Sequence, residues 1–138
     1  MSDTDSAIPA SRETEFAPAT RAEPQQLERQ RRQMNERVFS EAFSRSPQMI
    51  LVLNSDRQVI LFNPAVAKFL AQGGQLKDLP VFGRRAGEVF QCIHAGKFEG
   101  GCGTTEACST CGVTKAILSG QNGRETVEEC RLTVRHGD

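Results

Sequence analysis

Hydrophobic and polar positions change their spacing several times along this chain. Residues 1–24 carry almost no apolar periodicity and are rich in Ala, Ser, Thr, Glu and Pro, so they can bury too little surface to offset the entropy of ordering. Residues 25–45 are polar, contain good helix formers and have only sparse apolar positions. We therefore predict a disordered tail over 1–24, followed by a helix over 25–45 that leads into a domain.

After residue 46 the pattern becomes that of extended chain. Two apolar runs, residues 49–53 and residues 59–62, flank the turn-forming residues 54–57 and predict a β-hairpin. Asn63 is then placed to cap a helix that has Pro64 at its first position and ends at a pair of glycines, 73 and 74. The sequence thus predicts strand, turn, strand and helix in this order.

This order of elements resembles the opening of a PAS domain, the sensory module of many histidine kinases and transcriptional regulators. The resemblance is carried by residues 46–53 (SPQMILVL), residues 60–65 (ILFNPA) and residues 83–90 (GRRAGEVF), the last of which looks like the turn before a short helix of that family. It covers about residues 38–138 of the chain. A PAS-like sensory domain is therefore assigned to residues 46–138.

The resemblance implies an α+β fold, with a five-stranded antiparallel sheet, helices on one face and a ligand between the sheet and a longer helix. It places the longer helix at residues 104–119 and the third strand at residues 125–135. The family's fourth and fifth strands have no counterpart in this sequence. We therefore expect a PAS-like sheet that is truncated after its third strand, either as a fragment of a longer sensor or completed by a partner chain.

Four cysteines and a histidine fall within twenty residues, at Cys92, His94, Cys102, Cys108 and Cys111. Glycines between them allow the backbone to approach a bound centre closely. Four cysteine sulfurs satisfy either tetrahedral zinc or an iron-sulfur cluster, and the sequence leaves both open. We predict the four cysteines as ligands. His94 is predicted either to support a ligand through a hydrogen bond or to be an ordinary packed residue, rather than to be a direct ligand.

The predicted helix over 104–119 gives these ligands an arrangement. Cys108 and Cys111, three positions apart, would share one face of it, and Cys108 would lie in its first turn, where the helix dipole favours thiolate. Cys130 stands nineteen positions beyond Cys111 and is predicted as an ordinary buried cysteine of the third strand.

Charge and hydropathy exclude several kinds of partner. Seventeen basic residues balance seventeen acidic ones, so no net field attracts nucleic acid or an anionic membrane. No apolar run has the length of a membrane span, and the first residues lack the basic and apolar regions of a signal peptide. We expect a cytoplasmic protein, in which reduced thiols favour metal binding or redox chemistry over a disulfide framework.

The expected function is that of a signal-sensing PAS module whose cysteine-bound centre reports redox, oxygen or metal state to an output domain, such as the histidine kinase of a two-component system. Two alternatives stay open: an interaction or dimerisation module with a structural zinc, and a thiol-disulfide switch without metal. Weak heptad positions in the helix over 25–45 favour a homodimer through that helix. An enzyme is not expected, because the sequence has no phosphate-binding glycine loop after a strand and no nucleophile elbow.

Overall fold

The computed structural model describes residues 14–37, 40–72 and 80–134. These residues combine helices with a two-stranded antiparallel sheet, which is compatible with the α+β class. They divide into two units. We call residues 22–72 and 80–85 the hairpin unit, and residues 14–21 and 86–134 the cysteine unit.

The elements of the hairpin unit are α1 (Pro24–Arg37), α2 (Ser40–Arg45), β1 (Leu51–Leu53), β2 (Val59–Phe62) and α3 (Pro64–Gln72). Those of the cysteine unit are α4 (Ala86–Val89), a 3₁₀ helix that we call the His94 turn (Ile93–Gly96), a second that we call the Cys108 turn (Glu106–Thr110), and α5 (Gly112–Gln121). The helix predicted over 25–45 therefore corresponds to α1 and α2, and residues 38 and 39 between them lie outside the described residues.

The predicted β-hairpin is confirmed, with β1 and β2 paired antiparallel and an irregularity in the register after Val52. Its turn is organised by the Asn54 carboxamide, whose oxygen accepts hydrogen bonds from the amides of Asp56 and Gln58, both at 2.9 Å. Arg57 takes a positive φ of 69° in this turn. The turn residues thus satisfy their own backbone, which is why a short sequence window predicts them well.

Asn63 precedes α3 as predicted, but its side chain connects several segments of the hairpin unit. It is fully buried, and its oxygen accepts a hydrogen bond from the Ile50 amide at 3.0 Å. Its side-chain nitrogen donates to the carbonyls of Phe43, at 3.1 Å, and Gln48, at 2.9 Å. The side chain therefore links α2, the chain before β1 and the start of α3. The glycines predicted to end α3 lie outside the described residues.

α1 contributes a buried Leu27 and packs against β2. The guanidinium of Arg31 on the same helix lies 5.6 Å from the centre of the Phe82 ring, within the range of a cation-π contact. In the part of the chain that the structure describes, no helix combines the length and apolar character needed to cross a bilayer.

The prediction of a single helix over 104–119 is wrong, because the helical backbone is interrupted at Cys111. This residue has extended backbone angles, φ −77° and ψ 126°, between the Cys108 turn and α5. The hydroxyls of Ser109 and Thr110 donate to the carbonyls of Glu106 and Ala107, at 2.7 and 3.2 Å. Such local side-chain bonds compete with the hydrogen bonds of a continuous α-helix and account for the break.

The third strand predicted over 125–135 is not formed within the described residues. We call residues 124–134 the C-terminal segment, in which Val127 is 99% exposed and Val134 alone makes a β-bridge, to Cys92. The Thr133 carbonyl also accepts a hydrogen bond from the Ile93 amide at 2.8 Å. Alternating apolar and polar residues favour an extended chain, but a β-strand also needs a neighbouring strand to hydrogen-bond with along its length. Here the pairing is limited to the single bridge between Val134 and Cys92.

The disordered tail predicted over 1–24 is incorrect for the part that the structure describes, whereas residues 1–13 lie outside that part. The amides of Glu15 and Ala17 donate hydrogen bonds to the carbonyls of Thr104, at 2.7 Å, and Gly103, at 3.0 Å. Ala17 is also buried, as is Ala19. Backbone pairing with small side chains leaves little hydrophobic signal in the sequence, so this segment of the cysteine unit escaped prediction.

Candidate functional site

All five cysteines of the sequence lie in the cysteine unit, and all are free thiols. The structure places four of them in two pairs, and the fifth belongs to neither pair. The first pair contains Cys92 and Cys102, and the second contains Cys111 and Cys130. Cys108 lies between these pairs along the chain. The two predicted ligands Cys92 and Cys102 therefore lie near each other, and Cys111 has a sulfur neighbour that was not predicted.

Cys92 and Cys102 meet beside Gly87, in the first turn of α4. The Cys102 sulfur accepts a hydrogen bond from the Gly87 amide at 3.3 Å. A Cβ built on Gly87 would lie 2.8 Å from that sulfur and 3.4 Å from the Cβ of Cys92. Any larger residue at position 87 would therefore displace the Cys102 side chain, so the glycine is required for the approach of Cys102 to α4.

The position of Cys102 is fixed by charged groups. Its amide donates to Oε2 of Glu88 at 3.2 Å, and the same carboxylate oxygen accepts from Nη2 of Arg21 at 2.6 Å. Arg21 Nη2 also donates to the Gly100 carbonyl at 3.1 Å. Gly101 follows with a φ of +83°, and a Cβ there would collide with the Glu88 carboxylate. An ion pair thus holds the loop that presents Cys102.

Cys108 is buried in the Cys108 turn, where its sulfur lies 3.3 Å from the Thr105 hydroxyl oxygen. Its backbone carbonyl accepts a hydrogen bond from the Cys111 amide at 3.1 Å, which closes the turn. The prediction that Cys108 and Cys111 share one face of a helix, with Cys108 in the first turn, is therefore wrong. Cys111 takes the position before the first turn of α5 instead.

Cys111 and Cys130 form the closest sulfur pair, with 3.6 Å between their Sγ atoms. Gly112 makes this approach possible. A Cβ on Gly112 would collide with the Glu129 carbonyl oxygen and lie 3.1 Å from the Cys130 Cβ, so the backbone of the C-terminal segment packs directly against this glycine. The prediction of Cys130 as an ordinary buried cysteine of the third strand is wrong, because Cys130 is only half-buried, lies outside any strand and has its sulfur beside that of Cys111.

The two thiols of this pair have pKa values shifted in opposite directions. Burial raises the pKa of Cys111, but the backbone and hydroxyl of Thr114, the Cys130 thiol and the Val113 amide together lower it below its ordinary value. For Cys130, burial raises the pKa, the Val113 amide opposes this, and Cys111 raises it further. Of the two thiols, Cys111 is therefore the one that ionises at the lower pH.

The first turn of α5 provides the physical cause of the low pKa at Cys111. Cys111 is the residue before that turn, where free amides and the positive end of the helix dipole favour an anion. The amides of Val113 and Thr114 in that turn are among the groups that lower the pKa of Cys111. Cys111, and not Cys108 as predicted, is therefore the cysteine whose thiolate the helix dipole favours.

His94 has a buried ring nitrogen in the His94 turn. Its Nδ1 atom has no hydrogen-bond partner among the residues that the structure describes. A buried nitrogen without a partner is costly, and a ligand, a metal ion or water would satisfy it. This observation agrees with a functional environment around Cys92 and His94, while the role predicted for His94 stays a prediction.

The residues fit a metal centre by their chemistry, as five free thiols and an unpaired imidazole nitrogen in one unit. Within residues 14–37, 40–72 and 80–134, however, no three His, Cys, Asp or Glu side chains are grouped so as to hold a metal ion. A centre bound by Cys92, Cys102, Cys108 and Cys111 would need the two pairs to move together, and the glycines between residues 96 and 103 give that loop the freedom to do so. The ligand set stays a prediction.

The hairpin unit contributes an open groove of about 540 Å³ between α2 and α3. Its lining includes Pro47, Met49, Lys68 and Phe69, and both Met49 and Phe69 are nearly half exposed. It therefore offers an apolar surface beside a lysine and no thiol. The five thiols and the unpaired ring nitrogen of His94, by contrast, all lie in the cysteine unit.

Together these features define a chain of mixed helix and sheet, compatible with the α+β class, that contains a cysteine-rich unit. No protein-family model, curated protein or solved structure matches the chain. Its function must therefore be inferred from its own residues.

Proposed function

We propose that the chain is a sensory module of the PAS type, whose cysteine unit senses redox, oxygen or metal state and passes the signal to an output domain such as a histidine kinase. The observation that carries the proposal is the gathering of all five cysteines, as free thiols, in one unit of a small chain. The order of hairpin and helix in the hairpin unit agrees with what the PAS resemblance implies.

Cys92, Cys102, Cys108 and Cys111 are the proposed ligands of a zinc ion or an iron-sulfur cluster. When bound, an iron-sulfur cluster supplies reversible one-electron chemistry and oxidant sensitivity, whereas zinc supplies structural stability. The chain's own contribution is to present Cys102 through the pair formed by Arg21 and Glu88, and to bring Cys92 beside it at Gly87.

The experiment measures metal, acid-labile sulfide and visible absorption in protein purified without oxygen, followed by serine variants at each cysteine. Metal content is expected to fall by a similar large amount for each of Cys92→Ser, Cys102→Ser, Cys108→Ser and Cys111→Ser. Cys130→Ser serves as the matched control and is expected to retain the metal. Equal metal content in all five variants would contradict the proposal that Cys92, Cys102, Cys108 and Cys111 bind a metal centre.

Colour separates the proposed sensor from the alternative of an interaction or dimerisation module with structural zinc. An iron-sulfur centre absorbs visible light and is bleached by air or peroxide, whereas a zinc-thiolate site is colourless and resists air. A colourless, zinc-replete protein that ignores oxidant would therefore support the structural module instead.

A further inference from the structure

We propose that Cys111 and Cys130 form a redox-reactive dithiol that closes to an intramolecular disulfide when a hydroperoxide oxidises it. The proposal goes beyond the metal centre, because it requires Cys130, which the centre does not use. It names the two residues that would carry a thiol-disulfide signal in this chain, and it rests first on their geometry.

The distance between the two sulfurs is short enough for the reaction. They lie 3.6 Å apart, whereas a disulfide bond is about 2.0 Å long, so only a small movement is needed. Both side chains are partly exposed, which gives a small oxidant access. Cys108, the nearest other cysteine in sequence, is 6% exposed and has its sulfur against the Thr105 hydroxyl.

The backbone keeps the pair together independently of the sulfur atoms. The C-terminal segment crosses Gly112 so closely that a Cβ there would collide with the Glu129 carbonyl oxygen. Cys111 is the residue immediately before Gly112, and Cys130 is the residue immediately after Glu129. The glycine therefore sets the approach of the two cysteines and offers a way to disturb it without removing a thiol.

The roles of the two residues follow from their surroundings. Cys111 lies immediately before the first turn of α5, where free backbone amides favour the reactive thiolate form, and it is therefore assigned as the nucleophile. Cys130 lies on the C-terminal segment with its sulfur 3.6 Å from that of Cys111, and it supplies the second thiol. An asymmetric pair of this kind resembles in its chemistry an attacking and a resolving cysteine.

The reaction balances with a hydroperoxide as the oxidant. The Cys111 thiolate attacks the terminal oxygen, an S–O bond forms, the O–O bond breaks, and an alkoxide or hydroxide leaves and takes a proton from water. The Cys130 sulfur then attacks the sulfur of the Cys111 sulfenic acid. The S–S bond forms, the S–O bond breaks, and hydroxide leaves with the Cys130 proton as water. Two thiols are oxidised and one peroxide is reduced.

The disulfide would fix the C-terminal segment to the start of α5. That segment is exposed over residues 124–129, and near its other end it holds the His94 turn through the bond from the Ile93 amide to the Thr133 carbonyl. Oxidation at Cys130 would therefore restrain a segment that also contacts the chain beside Cys92. Formation of the disulfide could therefore alter the structure around Cys92 through the C-terminal segment.

The test uses the full chain, reduced and then freed of metal by a chelator without oxygen, and treated with hydrogen peroxide. Mass spectrometry of the unreduced digest is expected to find the Cys111 and Cys130 peptides linked, with the loss of two hydrogens that thiol reductant restores. Cys111→Ser and Cys130→Ser should each abolish the linked peptide, while Cys108→Ser, the matched control, should retain it.

Two glycine variants test the geometry itself. Gly112→Ala should slow formation of the linked peptide by on the order of tenfold or more, because displacing a reacting group by a fraction of a bond length is costly. Gly120→Ala lies on the same helix with nothing within 4 Å of the added Cβ, and should leave the rate unchanged. Circular dichroism of both variants checks that the fold is retained, and Cys130→Ser provides the test if Gly112→Ala does not fold.

Two outcomes would overturn the proposal. One is a disulfide that joins Cys111 to Cys108 in place of Cys130. The other is an absence of any disulfide together with a loss of zinc in Cys130→Ser as large as in Cys111→Ser. Sulfurs on a tetrahedral zinc lie about 3.8 Å apart, so such a result would make the pair metal ligands. Metal content is measured on a portion of each preparation taken before the chelator is added, so failure of the metal centre and failure of the disulfide are read separately.

Discussion

Arg21 and Glu88 form a two-point ion pair although 67 positions separate them, with Nη1 to Oε1 at 3.3 Å and Nη2 to Oε2 at 2.6 Å. The same two side chains also bind the Gly100 carbonyl and the Cys102 amide. The pair therefore joins residues 14–21, α4 and the loop of Cys102 in the cysteine unit. Charge-assisted bonds of this bidentate kind are stronger and more directional than single ones.

Glu88→Gln is expected to lower the free energy of unfolding by about 2 kcal/mol. The side chains of Arg21 and Glu88 are 26% and 14% exposed, so water screens them in part and the effect falls below that of a fully buried pair. Unfolding in urea, followed by circular dichroism, measures the change.

The matched control is Glu28→Gln, which removes an ion pair with Arg31 on the surface of α1. These side chains are 43% and 44% exposed, and the pKa of Glu28 is lowered chiefly by the hydrogen bond from Arg31. We expect no measurable change in unfolding, because such surface pairs are offset by side-chain entropy and solvent. A loss for Glu28→Gln equal to that for Glu88→Gln would refute the special role of the Arg21 pair.

Gly101→Ala is expected to destabilise the cysteine unit by about 3 kcal/mol, from backbone strain and overpacking together. Gly101 has a φ of +83°, and its added Cβ would collide with the Glu88 carboxylate and lie 2.5 Å from Arg21 Nη2. Thermal or urea unfolding gives the value. Loss of metal from this variant would further show that the loop presents Cys102 correctly only when the ion pair is intact.

Gly123→Ala separates the two contributions. Gly123 has a similar φ of +80° but nothing within 4 Å of an added Cβ, so its substitution introduces backbone strain alone. The expected cost is about 1 kcal/mol. Equal costs at positions 101 and 123 would mean that the contact with Glu88 contributes nothing.

Asn63→Ala is expected to lower the free energy of unfolding by about 3 kcal/mol, because it leaves the Ile50 amide and the carbonyls of Phe43 and Gln48 without their side-chain partner. Asn122→Ala is the control. Asn122 is exposed, and its side-chain nitrogen donates to the Leu118 carbonyl at 3.1 Å, so we expect a change below about 0.5 kcal/mol. Comparable losses in both variants would contradict the connecting role of Asn63.

The hairpin was predictable from the sequence because its information is local. Two apolar runs and a turn in which Asn54 satisfies nearby amides lie within fourteen residues, and β1, β2 and α3 follow that pattern closely. PAS-like assembly of these elements stays a proposal. Short-range patterns of hydrophobicity thus describe the hairpin unit well.

The cysteine unit was less predictable because its structure depends on distant backbone contacts. Ala17 and Ala19 are small and follow no periodic pattern, yet they pack through hydrogen bonds from residues 15 and 17 to the chain at Gly103 and Thr104. The approach of Cys130 to Cys111 depends on a missing side chain at Gly112. A sequence shows the glycine, but it does not show which segment crosses it.

The two thiols of the Cys111 pair are expected to react with iodoacetamide over different ranges of pH. The pKa of Cys111 is lowered, so its thiolate and its alkylation should persist to lower pH than those of Cys130, whose pKa is raised. The folded state gains stability from the Cys111 thiolate above the pKa of the unfolded thiol, and loses it as the pH falls through the lower folded value. Alkylation rates measured for each cysteine by mass spectrometry give both curves.

Substitutions around Cys111 test the cause of its low pKa. Cys130→Ala and Thr114→Val each remove a group that lowers the pKa of Cys111, so each should move its alkylation curve to higher pH. Ser109→Ala serves as the control, because the Ser109 hydroxyl donates to the Glu106 carbonyl and contributes nothing to the shift at Cys111. If Cys111 and Cys130 were alkylated with the same dependence on pH in the unmodified chain, the assignment of Cys111 as the nucleophile would be wrong.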